Sequence, residues 1–231
     1  MGIRSILGEA VHPLTTKALL IHGCKARALA DAREVGWGRM PSDLNALITC
    51  GDGEARIIYQ GELLPGKYLR ARVPLPPGQL SGKVTLRATF CYASPVDPQD
   101  AAAYTKAGLI ITFRPHQDQH KSGSALADSR PFFPAAEFRD EAELRTDLGK
   151  WETVLHAEKS FLGGSLLEPV FDIPYNARDG GGPAPSGAER IRYALVLTVR
   201  ALRHPDLHEE ILKAHNALEA LVPQISIPIQ V

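Results

Sequence analysis

From Gly53 onward the apolar residues of this chain recur at every second position. That period admits strands and excludes amphipathic helices over most of its length. Within residues 83–93, Val84, Leu86, Ala88, Phe90 and Tyr92 share one face, while Thr85, Arg87 and Thr89 share the other. Leu109, Ile111 and Phe113 repeat the spacing, as do Ile191, Tyr193, Leu195, Leu197 and Val199. At the end Ile225, Ile227, Ile229 and Val231 alternate with Ser226, Pro228 and Gln230. Pro228 has no N–H to donate, so this last strand is expected at a sheet edge or bonded from one side only. An alternating strand must bury one face against a second layer. Pro/Gly punctuation falls at residues 74–78, 95–98 and 180–185, the last a mobile loop by composition. The pattern predicts a mainly β chain: an antiparallel β-sandwich of jelly-roll or Greek-key type.

The first fifty residues follow a different rule. Pro13 and the threonines after it open a helix, with Thr15 or Thr16 as N-cap and Ala18, Leu19, Leu20 and Ile21 as its apolar body. Ser42 is expected to cap a second short helix over residues 43–50, where Leu44, Leu47 and Ile48 have helical spacing. Two further charged helical segments are predicted near residues 138–150 and 205–221. The division is therefore a helical segment at 1–51 and a sandwich at 52–231.

With 231 residues the chain can bury a core without disulfides or metal. Its 26 basic residues balance 26 acidic ones, so nothing electrostatic points to nucleic acid or an anionic membrane as partner. No apolar run reaches bilayer length, and the first residues lack a signal-peptide core. Three cysteines, Cys24, Cys50 and Cys91, sit far apart, which fits small buried hydrophobes in a reducing compartment better than a disulfide framework. A cytoplasmic location is the expectation.

Few residues offer chemistry. Ser124 and Ser165 are glycine-flanked, but neither lies in G-x-S-x-G, and both read as loop serines. His22 reads as a helix-end histidine with no catalytic role. His204 and His208 stand four apart with Pro205 between them, which spoils a shared helical face. His116 and His120 form a loose loop pair without a third ligand. Asp97 and Asp100 could hold calcium together with loop carbonyls, but two acids are only part of a ligand set, and a turn followed by a short helix cap is the commoner reading. No metal site, cofactor or catalytic residue is assigned. The strand segment Tyr68, Arg70, Arg72 puts an aromatic and two cations on one face, which suits an acidic or extended ligand.

Residues Leu14-Thr15-Thr16-Lys17-Ala18-Leu19-Leu20-Ile21-His22, followed by Gly36-Trp37-Gly38-Arg39-Met40, resemble the end of a subtilisin-like serine peptidase domain. In that family a P-x-x-V-K-A-L-L helix follows the helix carrying the catalytic serine, and a G-x-G-x-V turn comes next. Leu63-Leu64-Pro65-Gly66-Lys67-Tyr68-Leu69-Arg70 and the run from Phe90 to Pro98 resemble the C-terminal extension of a bacterial subgroup. The family's aspartate, histidine and Gly-Thr-Ser motifs all lie upstream of Leu14 and none occurs here, so the triad has nothing to run on. The resemblance implies a non-catalytic accessory region whose partners are an upstream subtilase catalytic segment and, through it, peptide substrate. The alternative is a free-standing module binding peptide or carbohydrate through the Tyr68, Arg70, Arg72 face. A hydrolase built on Ser124 or Ser165 is the third and weakest reading.

Overall fold

The computed structural model describes residues 3–8, 11–25, 36–99, 104–109, 111–123, 125, 127–133, 153–177 and 190–221. Its strands are β1 (Glu54–Leu63), β2 (Tyr68–Arg72), β3 (Lys83–Tyr92), β4 (Ala107–Leu109), β5 (Thr112–Arg114), β6 (Val154–Leu162), β7 (Val170–Ala177) and β8 (Ile191–Arg200). Its α-helices are α1 (Ile3–Leu7), α2 (Pro13–His22) and α3 (Leu207–Ala214). One sheet runs β1-β8-β3-β6. The other runs β2-β7-β4, with β5 also on β7, and every named pairing is antiparallel. The expected two-sheet, jelly-roll-like sandwich is the fold observed.

The predicted faces form its core. Val84, Leu86, Ala88, Phe90 and Tyr92 from β3 meet Ile191, Tyr193, Leu195, Leu197 and Val199 from β8, with Phe113, Phe171 and Ile173 supplied by the second sheet. Phe90 and Tyr193 stack with their planes 5° apart. Phe113 sits among Phe132, Phe161 and Phe171, at 4.9 to 5.4 Å between centroids. Burying rings of this size contributes a large part of the apolar stabilisation.

A second apolar cluster lies on the opposite face of the first sheet. Cys91, Ala194 and Val196 there meet Ile3, Ile6, Leu7, Val11, Ala18, Leu19 and Leu47. The alternation therefore fades in mid-sheet: β3 is buried continuously from Ala88 to Tyr92, and β8 from Tyr193 to Val199, because both faces are covered.

Three helix expectations need correction. The N-cap of α2 is His12, with Pro13 in the first turn, and it makes no side-chain cap. Thr15 and Thr16 lie inside the helix; Thr15 is fully buried and its hydroxyl donates to Gln60 Oε1 at 2.7 Å. The segment at 43–50 is a short 3-10 turn, Leu44–Leu47, capped by Asp43 and not Ser42: Asp43 Oδ1 accepts from Asn45 N at 2.9 Å. Arg56 Nη1 donates to the carbonyls of Leu47 and Ala46 at 2.6 and 3.2 Å, giving them partners outside any longer helix. The helix expected over 205–221 is only Leu207–Ala214; His215, at its end, is bonded through Nε2 to Leu75 O at 2.8 Å. The expected helix at 138–150, the loop at 180–185 and the strand at 225–231 lie outside the described residues.

Candidate functional site

Strand β2 alternates as its sequence requires, with Tyr68, Arg70 and Arg72 exposed and Ala71 buried. Register then decides what these cations meet. Arg70 is paired across β7 with Asp172, and Arg72 with Val170. From the other side of β7, β5 brings Thr112 to Asp172 and Arg114 to Val170. One row of the sheet thus reads Arg72, Val170, Arg114, and the next reads Arg70, Asp172, Thr112.

Asp172 has no exposed surface and lies between two guanidiniums. Arg70 Nε and Nη2 donate to its two oxygens at 2.7 and 3.1 Å, and Arg114 Nε donates to Oδ2 at 2.6 Å. Arg114 Nη1 also donates to Ala127 O at 2.8 Å. Burial would raise the carboxyl's pKa, but the hydrogen bonds and charges of Arg70 and Arg114 outweigh it and hold Asp172 below the ordinary carboxylate value.

An open depression of about 370 Å³ lies over these rows, lined by Arg70, Arg72, Arg114, His120, Glu168 and Val170 among others. Among the described residues the guanidinium of Arg72 makes no ion pair. Glu168, on the rim, has φ of 46°, the only positive φ of a described non-glycine residue. A side chain in that region carries strain, and such residues collect at ligand sites. Of the three residues singled out by sequence, Arg70 and Arg72 line the depression, whereas Tyr68 does not. Arg70 is largely committed to Asp172. Nothing local in the sequence singles out Arg114 or Asp172, because only the cross-strand register brings them to β2, or Glu168, which lies just before β7.

A separate polar network lies under α2. His22, 2% exposed, sits between two strand threonines, Nδ1 2.8 Å from Thr89 Oγ1 and Nε2 2.8 Å from Thr198 Oγ1. Thr89 Oγ1 is also 2.7 Å from His156 Nδ1, and Arg56 Nε donates to Thr198 Oγ1 at 3.1 Å. Arg56 can only donate. The orientation that uses both hydroxyl protons within the network runs from Arg56 to Thr198, to His22 Nε2, from His22 Nδ1 to Thr89, and on to His156 Nδ1. Both imidazoles are then neutral. Burial first, then the charge of Arg56, the repulsion that a protonated His156 would add, and the charge of Arg87 keep His22 well below its ordinary pKa. Burial and Arg87 bring His156 down to about 4 against the opposing pull of Glu158. His22 does end α2, as expected, but as a neutral buried strut.

Ser165, His204, His116, His120 and Asp97 have structural partners. Ser165 Oγ donates to Leu162 O at 2.7 Å, and Ser124 lies outside the described residues. His204 Nε2 accepts from Ser81 N at 3.0 Å and lies before α3, so it shares no helical face with His208. His116 Nδ1 accepts from Asp118 N, and His120 Nδ1 is bonded to Ala125 O. Asp97 pairs with Lys106 at 3.1 Å; Asp100 lies outside the described residues. Among the described residues no three His, Cys, Asp or Glu side chains form a metal-binding group, and no helix is long and apolar enough to cross a membrane. Of the cysteines only Cys91 is fully buried; Cys24 and Cys50 are half-buried, and all three are free.

No protein-family model matches the chain, and no curated protein matches it. Among solved structures it is similar to the VP2 subviral particle protein of infectious bursal disease virus, at 9% identity and a TM-score of 0.34. That match covers 75% of this chain and 39% of the viral one, so the chain spans well under half the length of that protein. In class, the molecule is an antiparallel two-sheet β-sandwich module with a helical lead-in packed on one sheet.

Proposed function

We propose that the chain is a binding module that takes an extended acidic peptide across the outer face of its second sheet. The observation that carries this reading is the convergence of Arg70, Arg72 and Arg114 on one depression in which the buried Asp172 engages only two of them. Arg72 is left to meet a ligand carboxylate, for which a guanidinium fork is well shaped. Arg70 and Arg114 set the edge of the site, and their charge is largely spent on Asp172. Strained Glu168 on the rim limits the site to ligands whose acidic groups avoid it.

Fluorescence anisotropy with labelled glutamate-rich and lysine-rich peptides tests the proposal. The acidic peptide binds, binding weakens as salt rises, and Arg72→Glu weakens it by roughly tenfold or more. Unchanged affinity in Arg72→Glu, or binding of neutral oligosaccharide at this face in place of the acidic peptide, refutes it.

A second reading is supported by the segment that resembles a subtilisin-like domain's end. The residues around α2 share an apolar cluster with the first sheet, which suits a module attached to an upstream catalytic segment. In that reading the chain is the accessory part of a serine endopeptidase, and proteolysis belongs to the parent. Mass spectrometry of the endogenous protein decides it: an intact mass well above 25.1 kDa with upstream triad motifs supports it, and a mass matching this chain rejects it.

A further inference from the structure

Among the described residues β1 is an end strand: its ten residues pair with β8 from Glu54↔Arg200 to Leu63↔Ile191 and with nothing on the other side. An edge of that length presents a row of outward N–H and C=O groups and is a template for another strand. A groove of about 790 Å³ runs along it, lined by all seven residues 54–60. Lining by consecutive residues, which alternate between the two faces, means that the groove follows the strand's edge. Its flanks carry apolar side chains, Leu19 and Leu47 on one side and Ile211, Leu212, Leu218 and Leu221 on the other, interspersed with polar ones such as Asp206, His208, Glu209 and Glu219. Leu221 is 49% exposed in it and is the last described residue before 222–231.

The sequence that follows Leu221 fits the groove. Residues 222–231 carry no charge, and the seven residues 225–231 alternate Ile, Ser, Ile, Pro, Ile, Gln, Val. Seven residues of strand match seven residues of edge, roughly 23 Å at about 3.3 Å each, and the three between them and Leu221 reach about 10 Å. We propose that residues 225–231 dock along the open edge of β1 as an added strand, in the same molecule. This is independent of the ligand proposed for the second sheet. Pro228 fixes the parity of the pairing. In an extended strand a residue's N–H and C=O point to the same side, so 226, 228 and 230 face away from β1, while Ile225, Ile227, Ile229 and Val231 bond to it.

Amide hydrogen exchange of the full chain, read by NMR, tests the parity directly. Ile225, Ile227, Ile229 and Val231 are protected on the order of a hundredfold or more over Ser226 and Gln230. Ile227→Pro, which deletes a donor facing β1, abolishes the pattern and exposes the outward amides of β1. Ser226→Pro, on the other parity, preserves it. Four outcomes overturn the proposal, the first three being uniformly fast exchange over 225–231, equal effects of the two proline substitutions, and protection that rises with protein concentration alongside dimer formation. The third would seat a second copy's segment on the edge. Saturation of the β1 amides only on adding a foreign peptide would equally exclude the chain's own segment.

Discussion

His22 Nδ1 and Thr89 Oγ1 lie 2.8 Å apart and tie the last residue of α2 to the centre of the first sheet. The contact belongs to a buried polar network between α2 and the sheet, with Thr198, His156 and Arg56 as its other members. Replacing His22 by alanine leaves a cavity and strips partners from Thr89 and Thr198. The expected cost is about 2–4 kcal/mol, read as a lower denaturant midpoint with unchanged slope. A loss below about 0.5 kcal/mol would mean that α2 is not held through this residue.

The same network sets a pH dependence. Folding depresses the pKa of His22 and brings His156 to about 4, so between there and about 6.5 the unfolded chain binds more protons than the folded one. Stability contributed by these neutral histidines is complete above about 6.5 and is lost as pH falls toward 4. Chemical denaturation at pH 7 and pH 5 should show a fall of roughly 2–4 kcal/mol, since each of the two unmatched protons is worth about 1.4 kcal/mol per pH unit below about 6.5. The double variant His22→Gln, His156→Gln should lose most of that dependence. A slope that persists in the double variant places its origin elsewhere.

How far the fold was legible follows from which residues carry each face. The core faces of β3 and β8 are continuous apolar alternations, so period alone found them. The buried stripe of α2 is Thr15, Ala18, Leu19 and His22, at the i, i+3, i+4, i+7 spacing of one helical face. Two of those four are polar, whereas Leu20 and Ile21 are only half-buried, so hydrophobicity pointed at the wrong side. Leu44, Leu47 and Ile48 have helical spacing, but Arg56, from a strand, takes the carbonyls of Ala46 and Leu47. In the basic depression Arg70 and Arg72 are two apart on one strand and were visible. Arg114 and Asp172 are remote in sequence and joined only by register, which nothing local encodes.

Cys91 should be chemically silent. It has no exposed surface, and burial pushes its thiol up to about 11 despite the nearby charge of Lys17. At pH 8 roughly one molecule in a thousand then carries the thiolate that reacts with disulfide reagents. Cys24 and Cys50 are half-buried, and burial raises them as well, but solvent reaches both. Thiol titration of native protein should therefore count two fast sulfhydryls, with the third appearing only in denaturant. Prompt reaction of all three would show that α2 lifts from the sheet in the native state.

Asp172 and Arg70 form one ion pair, yet removing them should have unequal consequences. The carboxylate is fully buried, while the Arg70 side chain is 58% exposed and can return to water. Asp172→Asn deletes an acceptor on which Arg114, only 22% exposed, also depends, and leaves that guanidinium partly desolvated without a counter-charge. A loss of about 2–4 kcal/mol at pH 7 is expected, against about 1 kcal/mol or less for Arg70→Ala. The sign of the pH effect separates this site from the histidines. A carboxyl held below its ordinary value of 3.8 contributes stability that is present above that value and is lost as pH falls through the folded pKa. The gap between wild type and Asp172→Asn should consequently hold from pH 7 to about 4 and close only below it, as urea denaturation at pH 7, 5 and 2.5 would record. A gap already closed at pH 5 would mean that the carboxylate is not held by the two arginines.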